Sequence, residues 1–248
     1  MSKEGEELSI ADRISGWMRD QVNAAGMRGI LVGLSGGVDS AVVAGLACRA
    51  LGEDVLGVWM PCHSQAVDAE YAHLVAGTFH IKTVTVDLGP VYDAFVAALP
   101  EGPDLARANL KPRLRMATLY YLANARGYLV AGTGNKSELM AGYFTKYGDG
   151  GVDILPLGDL YKGQVWELAR EIGVPQPVIS RPPTAGLWPG QTDEGELGIT
   201  YAALDAILAA LAEGQEPKAD PGDVYRVRRM VAASAHKRAL PPICEIGR

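Results

Sequence analysis

The 248-residue sequence contains only three cysteines, Cys48, Cys62 and Cys244, and they lie far apart. An odd number at such separations does not make a disulfide framework, and no pair has the C-x-x-C spacing of a zinc or redox site. Chains that fold without disulfides are typical of reducing compartments. We therefore expect a cytoplasmic protein that is stabilised by its hydrophobic core.

Long hydrophobic runs and an excess of positive charge are also missing. No apolar stretch approaches the roughly 20 residues of a membrane span, and the first residues, "MSKEGEELSIADR", lack the apolar segment of a signal peptide. Lys and Arg total 23 against 29 Asp and Glu, which gives a net charge of −6. We therefore expect neither a membrane nor a nucleic acid as partner, although a local basic pocket is compatible with this balance.

Apolar segments with the length of strands alternate with segments of helical periodicity. The candidate strands are "GILVGL", "VLGVWM", "KTVTVDL" and "YLVAGT". This alternation predicts an α/β fold, a doubly wound parallel sheet with helices on both faces, formed by a single domain of residues 1–248. Pro112 must kink or restart the long helical pattern over 106–127. Two glycine- and proline-rich regions, 132–156 and 179–198, are interpreted as a site loop and a lid.

The first candidate strand runs into a glycine-rich loop that opens a helix. Its residues are Gly33, Leu34, Ser35, Gly36, Gly37, Val38, Asp39 and Ser40. Backbone N–H groups at such a turn bind phosphate. The loop lacks the lysine of the Walker motif and the spacing G-x-G-x-x-G. Its carboxylate, Asp39, suits a phosphate site when a hard cation accompanies the phosphate. Alternatively, Asp39 only complements the helix dipole.

The pattern S-G-G-x-D-S resembles the signature of the ATP pyrophosphatases, in which this loop holds the pyrophosphate released when a substrate is adenylated. Other segments resemble NAD synthetases, from about residue 10 to about residue 240: "NLKPRLRM", "GTGNKSE", "GYFTKYGDGGVDILPLGDLYK", "PPTAGLWPGQTDEGELG" and "AHKR". The resemblance implies an adenine nucleotide α hydrolase-like fold. It also implies ATP-dependent amidation of deamido-NAD by ammonia, through an acyl-adenylate, with release of AMP and pyrophosphate.

Residue roles are implied by the same resemblance. For ATP they fall on residues 33–40 and on Thr133, Lys162 and Thr184. For deamido-NAD they fall on Arg113, Lys146, Asp153, His236 and Lys237. Mg²⁺ is assigned to Asp39 and Glu138, which together with Lys162 are the catalytic candidates. Arg115 is as cationic as Arg113 and is not excluded from the same role.

Several of these residues also have a non-catalytic explanation. Glu138 alone is an ordinary solvated helix residue, Lys146 and Lys162 are candidates for surface charges, and His236 with Lys237 also suits a helix C-terminus. Cys62 and His63 in "MPCHS" suggest a Cys/His nucleophile. We reject that reading because no partner residue is identifiable.

The resemblance further implies a homodimer that builds each dinucleotide site from two subunits, so that Lys146 and Lys237 of one site come from different chains. No glutaminase segment is visible, which predicts free ammonia as the nitrogen source. Two alternatives stay open: another adenylating ATP pyrophosphatase, amidating or thiolating, and a non-catalytic nucleotide-binding protein of similar fold. A tRNA thiolase is disfavoured because paired cysteines and a basic surface are missing.

Overall fold

A computed structural model describes residues 8–188 and 190–246. The strands are β1 (Gly29–Gly33), β2 (Val55–Trp59), β3 (Lys82–Thr85) and β4 (Tyr128–Ala131). The helices are α1 (Ile10–Ala24), α2 (Val38–Leu51), α3 (Ala66–Thr78), α4 (Gly89–Ala97), α5 (Asp104–Ala108), α6 (Leu110–Arg126), α7 (Lys136–Ala141), α8 (Lys162–Glu171), α9 (Gln176–Ile179), α10 (Asp193–Leu197), α11 (Tyr201–Ala212) and α12 (Pro221–Ala233). A 3₁₀ turn over Ala235–Lys237 follows.

The four strands form one parallel sheet in the order β3-β2-β1-β4. The chain moves outward from β1 through β2 to β3 and then returns to the opposite side of β1 as β4. This reversal places a switch point between the carboxyl ends of β1 and β4. In open α/β sheets, ligands bind at such a point.

Both faces of the sheet are covered because side chains of a strand alternate in direction. In β1, Ile30 and Val32 enter the core that packs against α1, α2 and α8. Leu31, between them, enters a second core with residues of α4 and α6. The predicted doubly wound α/β class is therefore confirmed. Within the described residues, no helix is long and apolar enough to cross a membrane.

The long helical pattern over 106–127 is split in two. Helix α5 ends at Ala108 and α6 restarts at Leu110, so that Pro112 lies in the first turn of α6. A proline is tolerated there because the N–H groups of a first turn have no partner within the helix. The structure thus selects a restart over a kink.

Short helices lie where loops were predicted. The segment 132–156 contains α7, and 179–198 contains α10. The last helix is shorter than its pattern over 222–239, since α12 ends at Ala233 and the 3₁₀ turn carries His236 and Lys237. Helix α1 begins at Ile10, where the Ser9 hydroxyl accepts from the Asp12 amide at 3.1 Å.

Candidate functional site

A cavity of about 470 Å³ lies at the carboxyl ends of β1 and β4, a volume typical of small-molecule sites. Most of the predicted ATP and metal residues line it: Gly33, Leu34, Ser35, Gly37, Val38, Asp39, Ser40, Thr133, Glu138, Lys162 and Thr184. These residues come from four separate parts of the sequence. The fold therefore brings together the residues that the motifs predicted for one nucleotide site.

The glycine-rich loop is held in shape by its own hydroxyl groups. Ser35 Oγ lies 3.0 Å from Ser40 Oγ, and the amide of Gly37 donates to Ser35 Oγ at 3.2 Å. Gly36 has φ +78°, and a Cβ there would lie 2.7 Å from the carbonyl oxygen of Asp68. Only glycine meets both conditions. The loop thus has a fixed conformation before any ligand binds.

Asp39, Glu138 and Lys162 form the charged centre of the cavity. Lys162 Nζ lies 2.5 Å from Asp39 Oδ2 and 3.4 Å from Glu138 Oε1. The lysine is only 1% exposed, and a charge so deeply buried needs such partners. Burial lowers the pKa of Lys162, but the two carboxylates outweigh this effect and leave its pKa raised. Burial raises the pKa of Glu138, and Lys162 opposes that rise.

Asn135 fastens the two carboxylates to one another and has no role in the sequence-based prediction. Its side chain is fully buried, donates from Nδ2 to Asp39 Oδ1 at 2.9 Å, and accepts from the Glu138 amide at 3.0 Å. The carboxylate of Glu138 in turn accepts from the Asn135 amide at 3.3 Å. This capping box begins α7. The N-x-x-E spacing in "GTGNKSE" is the sequence pattern that predicts this capping box.

Tyr201 and Asp193 form a second group that sequence reasoning missed. The Tyr201 hydroxyl lies 3.0 Å from Asp193 Oδ2 and 3.5 Å from Glu138 Oε1. The Tyr201 ring is 5.1 Å from the Lys162 ammonium and packs edge-on against Trp166. Asp193 lies within the segment "PPTAGLWPGQTDEGELG" but was given no role, and Tyr201 has no motif because a tyrosine that opens an apolar helix resembles an ordinary core residue.

Asp205 of α11 fixes the position of Lys162 through hydrogen bonds at the starts of α7 and α8. Asp205 accepts from the Gly163 amide at 2.9 Å and from the Ser137 hydroxyl. Ser137 also accepts from the Lys162 amide at 3.0 Å. The starts of α7 and α8 are therefore tied together, and with them Glu138 and Lys162.

The predicted dinucleotide residues are only partly inside the cavity. Lys237 lines it, and its ammonium donates to the carbonyl oxygens of Gly142 and Phe144, each at 2.8 Å. Lys146 Nζ donates to the carbonyl oxygen of His236 at 2.5 Å. The two groups, which sequence reasoning assigned to different chains of a dimer, therefore lie side by side in one chain.

Arg113 and Asp153 do not line the cavity. Arg113 is exposed on α6, whereas Arg115 lines the cavity and donates from Nε to the Met60 carbonyl at 3.2 Å. Asp153 Oδ2 accepts from the Val130 amide at 2.8 Å, which ties the glycine-rich segment to β4. Of the two arginines, Arg115 is thus the one that faces the enclosed space.

Cys62 and His63 point to different partners. Cys62 is 1% exposed, its thiol lies 3.9 Å from the Leu88 carbonyl oxygen, and burial raises its pKa. His63 Nε2 lies 2.8 Å from Asp93 Oδ1 at the surface. The geometry agrees with rejecting a Cys/His nucleophile, because burial disfavours the Cys62 thiolate and His63 pairs with Asp93 instead of the thiol.

The segment 179–198 lines one side of the cavity and is held there by contacts with other parts of the chain. Lys111 Nζ donates to the Leu187 carbonyl at 2.8 Å, and Arg181 pairs with Asp68 at 2.5 Å. The Tyr143 hydroxyl donates to Glu196 Oε2 at 2.5 Å. Thr184 lies in this segment and lines the same cavity as the phosphate loop.

Comparisons with known proteins show which proteins this chain resembles in sequence and fold. A profile of the NAD synthase family matches residues 10–241. The NH(3)-dependent NAD(+) synthetase of Carboxydothermus hydrogenoformans is 49% identical over 237 residues, covering 94% of this chain and 95% of that protein.

Among solved structures, the NMN synthetase of Francisella tularensis has a TM-score of 0.90 and 34% identity, over 97% of this chain and 100% of that one. The NH3-dependent NAD synthetase of Campylobacter jejuni has a TM-score of 0.84 and 29% identity, over 95% and 98% respectively. Similarity thus extends over almost the whole length of both chains in each pair.

Proposed function

Because the chain belongs to the NAD synthase family, it amidates deamido-NAD to NAD with ATP and ammonia, and we propose that the cavity above β1 and β4 is where this reaction takes place. One observation carries the proposal: Asp39, Glu138 and Lys162, from three distant segments, converge in that cavity. A non-catalytic nucleotide-binding protein needs no such buried charged centre.

The reaction has two steps. A carboxylate is a poor electrophile, so the carboxyl group of deamido-NAD first attacks the α-phosphorus of ATP, forming an acyl-adenylate and releasing pyrophosphate. Ammonia then attacks the acyl carbon, the bond to AMP breaks, and a proton is released. In our proposal residues 33–40 and Lys162 receive the pyrophosphate, since their N–H groups, hydroxyls and ammonium supply fixed positive dipoles and charge.

Thr133 and Thr184 would contact the nucleotide from opposite sides of the cavity, which both residues line. Thr184 belongs to the anchored lid, and its hydroxyl already accepts from the Gly186 amide at 3.1 Å. A closed lid excludes water from an acyl-adenylate, which water would hydrolyse. Ammonia thereby competes better for the acyl carbon.

Asp39 and Glu138 fit a magnesium ion. Both are hard oxygen donors and already converge on one cation, the Lys162 ammonium. Over the described part of the chain, no cluster of three or more His, Cys, Asp or Glu side chains is suited to hold a metal. Phosphate oxygens and water would therefore complete the six ligands that Mg²⁺ requires. When bound, the ion neutralises charge on the departing pyrophosphate.

For deamido-NAD, we propose that Lys237 and Arg115 approach the dinucleotide inside the cavity, with Arg113, Lys146, Asp153 and His236 at its outer edge. A homodimer that covers this edge is part of the proposal. Exposed apolar side chains on helices α4 to α6 are the surface that we propose the partner covers. They are Val91, Phe95, Leu105 and Tyr121.

Free ammonia, a single domain of residues 1–248 and a cytoplasmic location complete the proposal. Three free cysteines support a reducing compartment. A second candidate is the amidation of the corresponding mononucleotide, favoured by the TM-score of 0.90 to an NMN synthetase.

Product analysis of the purified protein tests both candidates. The protein is supplied with ATP, Mg²⁺, either deamido-NAD or nicotinate mononucleotide, and either ammonium or ammonia-free glutamine. We expect NAD, AMP and pyrophosphate from deamido-NAD with ammonium alone. Efficient use of glutamine would overturn the nitrogen source, and a higher kcat/KM for the mononucleotide would favour the second candidate.

A further inference from the structure

Asp193 holds an unmatched acceptor beside the catalytic centre. The residue is 4% exposed and lines the cavity. Its Oδ2 accepts from the Tyr201 hydroxyl at 3.0 Å, but its Oδ1 is buried and has no hydrogen-bond partner among the described residues. Buried carboxylate oxygens in native proteins are almost always paired, so an unpaired one needs an explanation.

The neighbouring donors are directed at other acceptors. The Tyr143 hydroxyl also lies close to Asp193, but it donates its single proton to Glu196 at 2.5 Å. The Tyr201 proton serves Asp193 Oδ2, with Glu138 Oε1 as the other acceptor 3.5 Å away. The Lys162 ammonium is drawn to Asp39 and Glu138. Because these donors serve other acceptors, we look for a partner of Oδ1 among ligands of the cavity that Asp193 lines.

The electrostatic setting selects a cationic donor. Three carboxylates, Asp39, Glu138 and Asp193, face this end of the cavity, together with the single ammonium of Lys162. An anion or neutral acceptor would add repulsion or leave Oδ1 unpaired. Mg²⁺ dehydrates reluctantly and keeps several water ligands, whose polarised O–H groups are strong donors.

We propose that Asp193 is a positioning residue of the magnesium site: its Oδ1 accepts a hydrogen bond from a water ligand of the ion that Asp39 and Glu138 hold, and the Tyr201 hydroxyl fixes the orientation of its carboxylate. This inference rests on the proposed magnesium site. Carboxylates that orient metal-bound groups from outside the ligand shell commonly contribute ten- to hundredfold to metal affinity.

Asp193 also connects the ion to the lid. It is the first residue of α10, and its amide donates to the Pro183 carbonyl at 3.0 Å, next to Thr184. The backbone of Asp193 therefore contacts the lid, and in our proposal its side chain contacts a water ligand of the ion. A lid held in this closed position brings the third carboxylate to the metal.

Mn²⁺ binding to the full-length protein with a non-hydrolysable ATP analogue, followed by electron paramagnetic resonance, tests the inference without turnover. Asp193→Asn keeps the shape and removes the charge, and Tyr201→Phe keeps the ring but removes the hydroxyl. We expect about tenfold weaker Mn²⁺ binding for Asp193→Asn and a smaller loss for Tyr201→Phe. The control variant is Asp159→Asn, which removes an exposed carboxylate that pairs with Lys136 of α7. This variant should bind Mn²⁺ as the wild type does.

Asp39→Asn distinguishes a failure of the role proposed for Asp193 from a failure of the proposed magnesium site. If Asp39→Asn weakens Mn²⁺ binding and both Asp193→Asn and Tyr201→Phe leave it unchanged, the role of Asp193 is wrong and the metal site stands. If Asp39→Asn also leaves it unchanged, the metal site itself is wrong. Thermal melting checks folding, and should Asp193→Asn not fold, wild-type Mn²⁺ affinity in folded Tyr201→Phe overturns the inference.

Discussion

Replacing Asn135 with alanine tests how the protein holds the catalytic carboxylates in position when no ligand is bound. The substitution removes two interactions at once: the cap on the Glu138 amide at 3.0 Å and the hydrogen bond to Asp39 at 2.9 Å. The side chain is fully buried, so water cannot replace either partner without rearrangement.

The expected loss of stability follows from these two interactions. A lost N-cap lowers the free energy of unfolding by about 0.5–2 kcal/mol, and a lost hydrogen bond to a charged group by about 1.5–3 kcal/mol. We expect a total of about 3 kcal/mol for Asn135→Ala. In a chain of 248 residues this lowers Tm by roughly 6–12 °C.

A double-mutant cycle with Asp39→Ala isolates the side-chain bond. Urea unfolding of the four proteins, without nucleotide, gives the free energies of unfolding. Because the loss of the Lys162–Asp39 ion pair occurs in both arms of the cycle, it cancels. We expect a coupling of about 1.5–3 kcal/mol between Asn135 and Asp39. Ser9→Ala is the control, since it removes a distant N-cap and should be additive with Asp39→Ala.

A coupling below about 0.5 kcal/mol would refute the reasoning, since contacting residues are expected to exceed that value. The same conclusion would follow if Asn135→Ala destabilised the protein no more than Ser9→Ala. In either case the amide would be a helix cap only, and the position of Asp39 would depend on Lys162 alone.

Asp39→Asn and Glu138→Gln should each raise the Mg²⁺ concentration needed for half-maximal pyrophosphate release, and each should lower Tm because the buried Lys162 ammonium loses a charged partner; normal release at low Mg²⁺ in both variants would contradict their role as ligands. Lys146→Ala and Lys237→Ala should each weaken deamido-NAD binding about ten- to hundredfold while sparing ATP. Mixing these two variants under subunit exchange should restore no activity, because both residues belong to the same chain's site; clear rescue would place them in different chains. Cys62→Ser should retain wild-type kcat, and loss of kcat in a folded protein would revive a role for the thiol.

The sheet was predictable because β1, β2 and β4 are apolar runs between turn residues, whereas the edge strand β3 is mostly polar and exposed. "GILVGL" and "VLGVWM" are buried on both faces, a pattern that few other structures accommodate. Helix ends were harder to predict, since Pro112 is compatible with a kink or with a first turn. Only the packing of α5 and α6 decides between them.

Within the site, predictability followed the locality of the signal. The phosphate loop is contiguous and identifiable from its own residues, whereas Glu138 and Lys162 were found only through resemblance to a family. Asp193 lies in a segment that resembles the family, yet neither it nor Tyr201 was assigned a role, because their importance arises from distances between helices. Likewise, no pattern in the sequence distinguishes Arg115, which turns inward, from Arg113, which stays at the surface.

The dependence of the catalytic centre on α11 has a consequence for synthesis of the chain. All four paired strands have been synthesised once Ala131 is translated, but Tyr201 and Asp205, which hold Glu138 and Lys162 in place, follow about 70 residues later. Domains acquire structure from their N-terminal end during translation. A nascent protein stalled before α11 therefore carries a complete set of paired strands but an unassembled catalytic centre, and activity arises only in the final fifth of elongation.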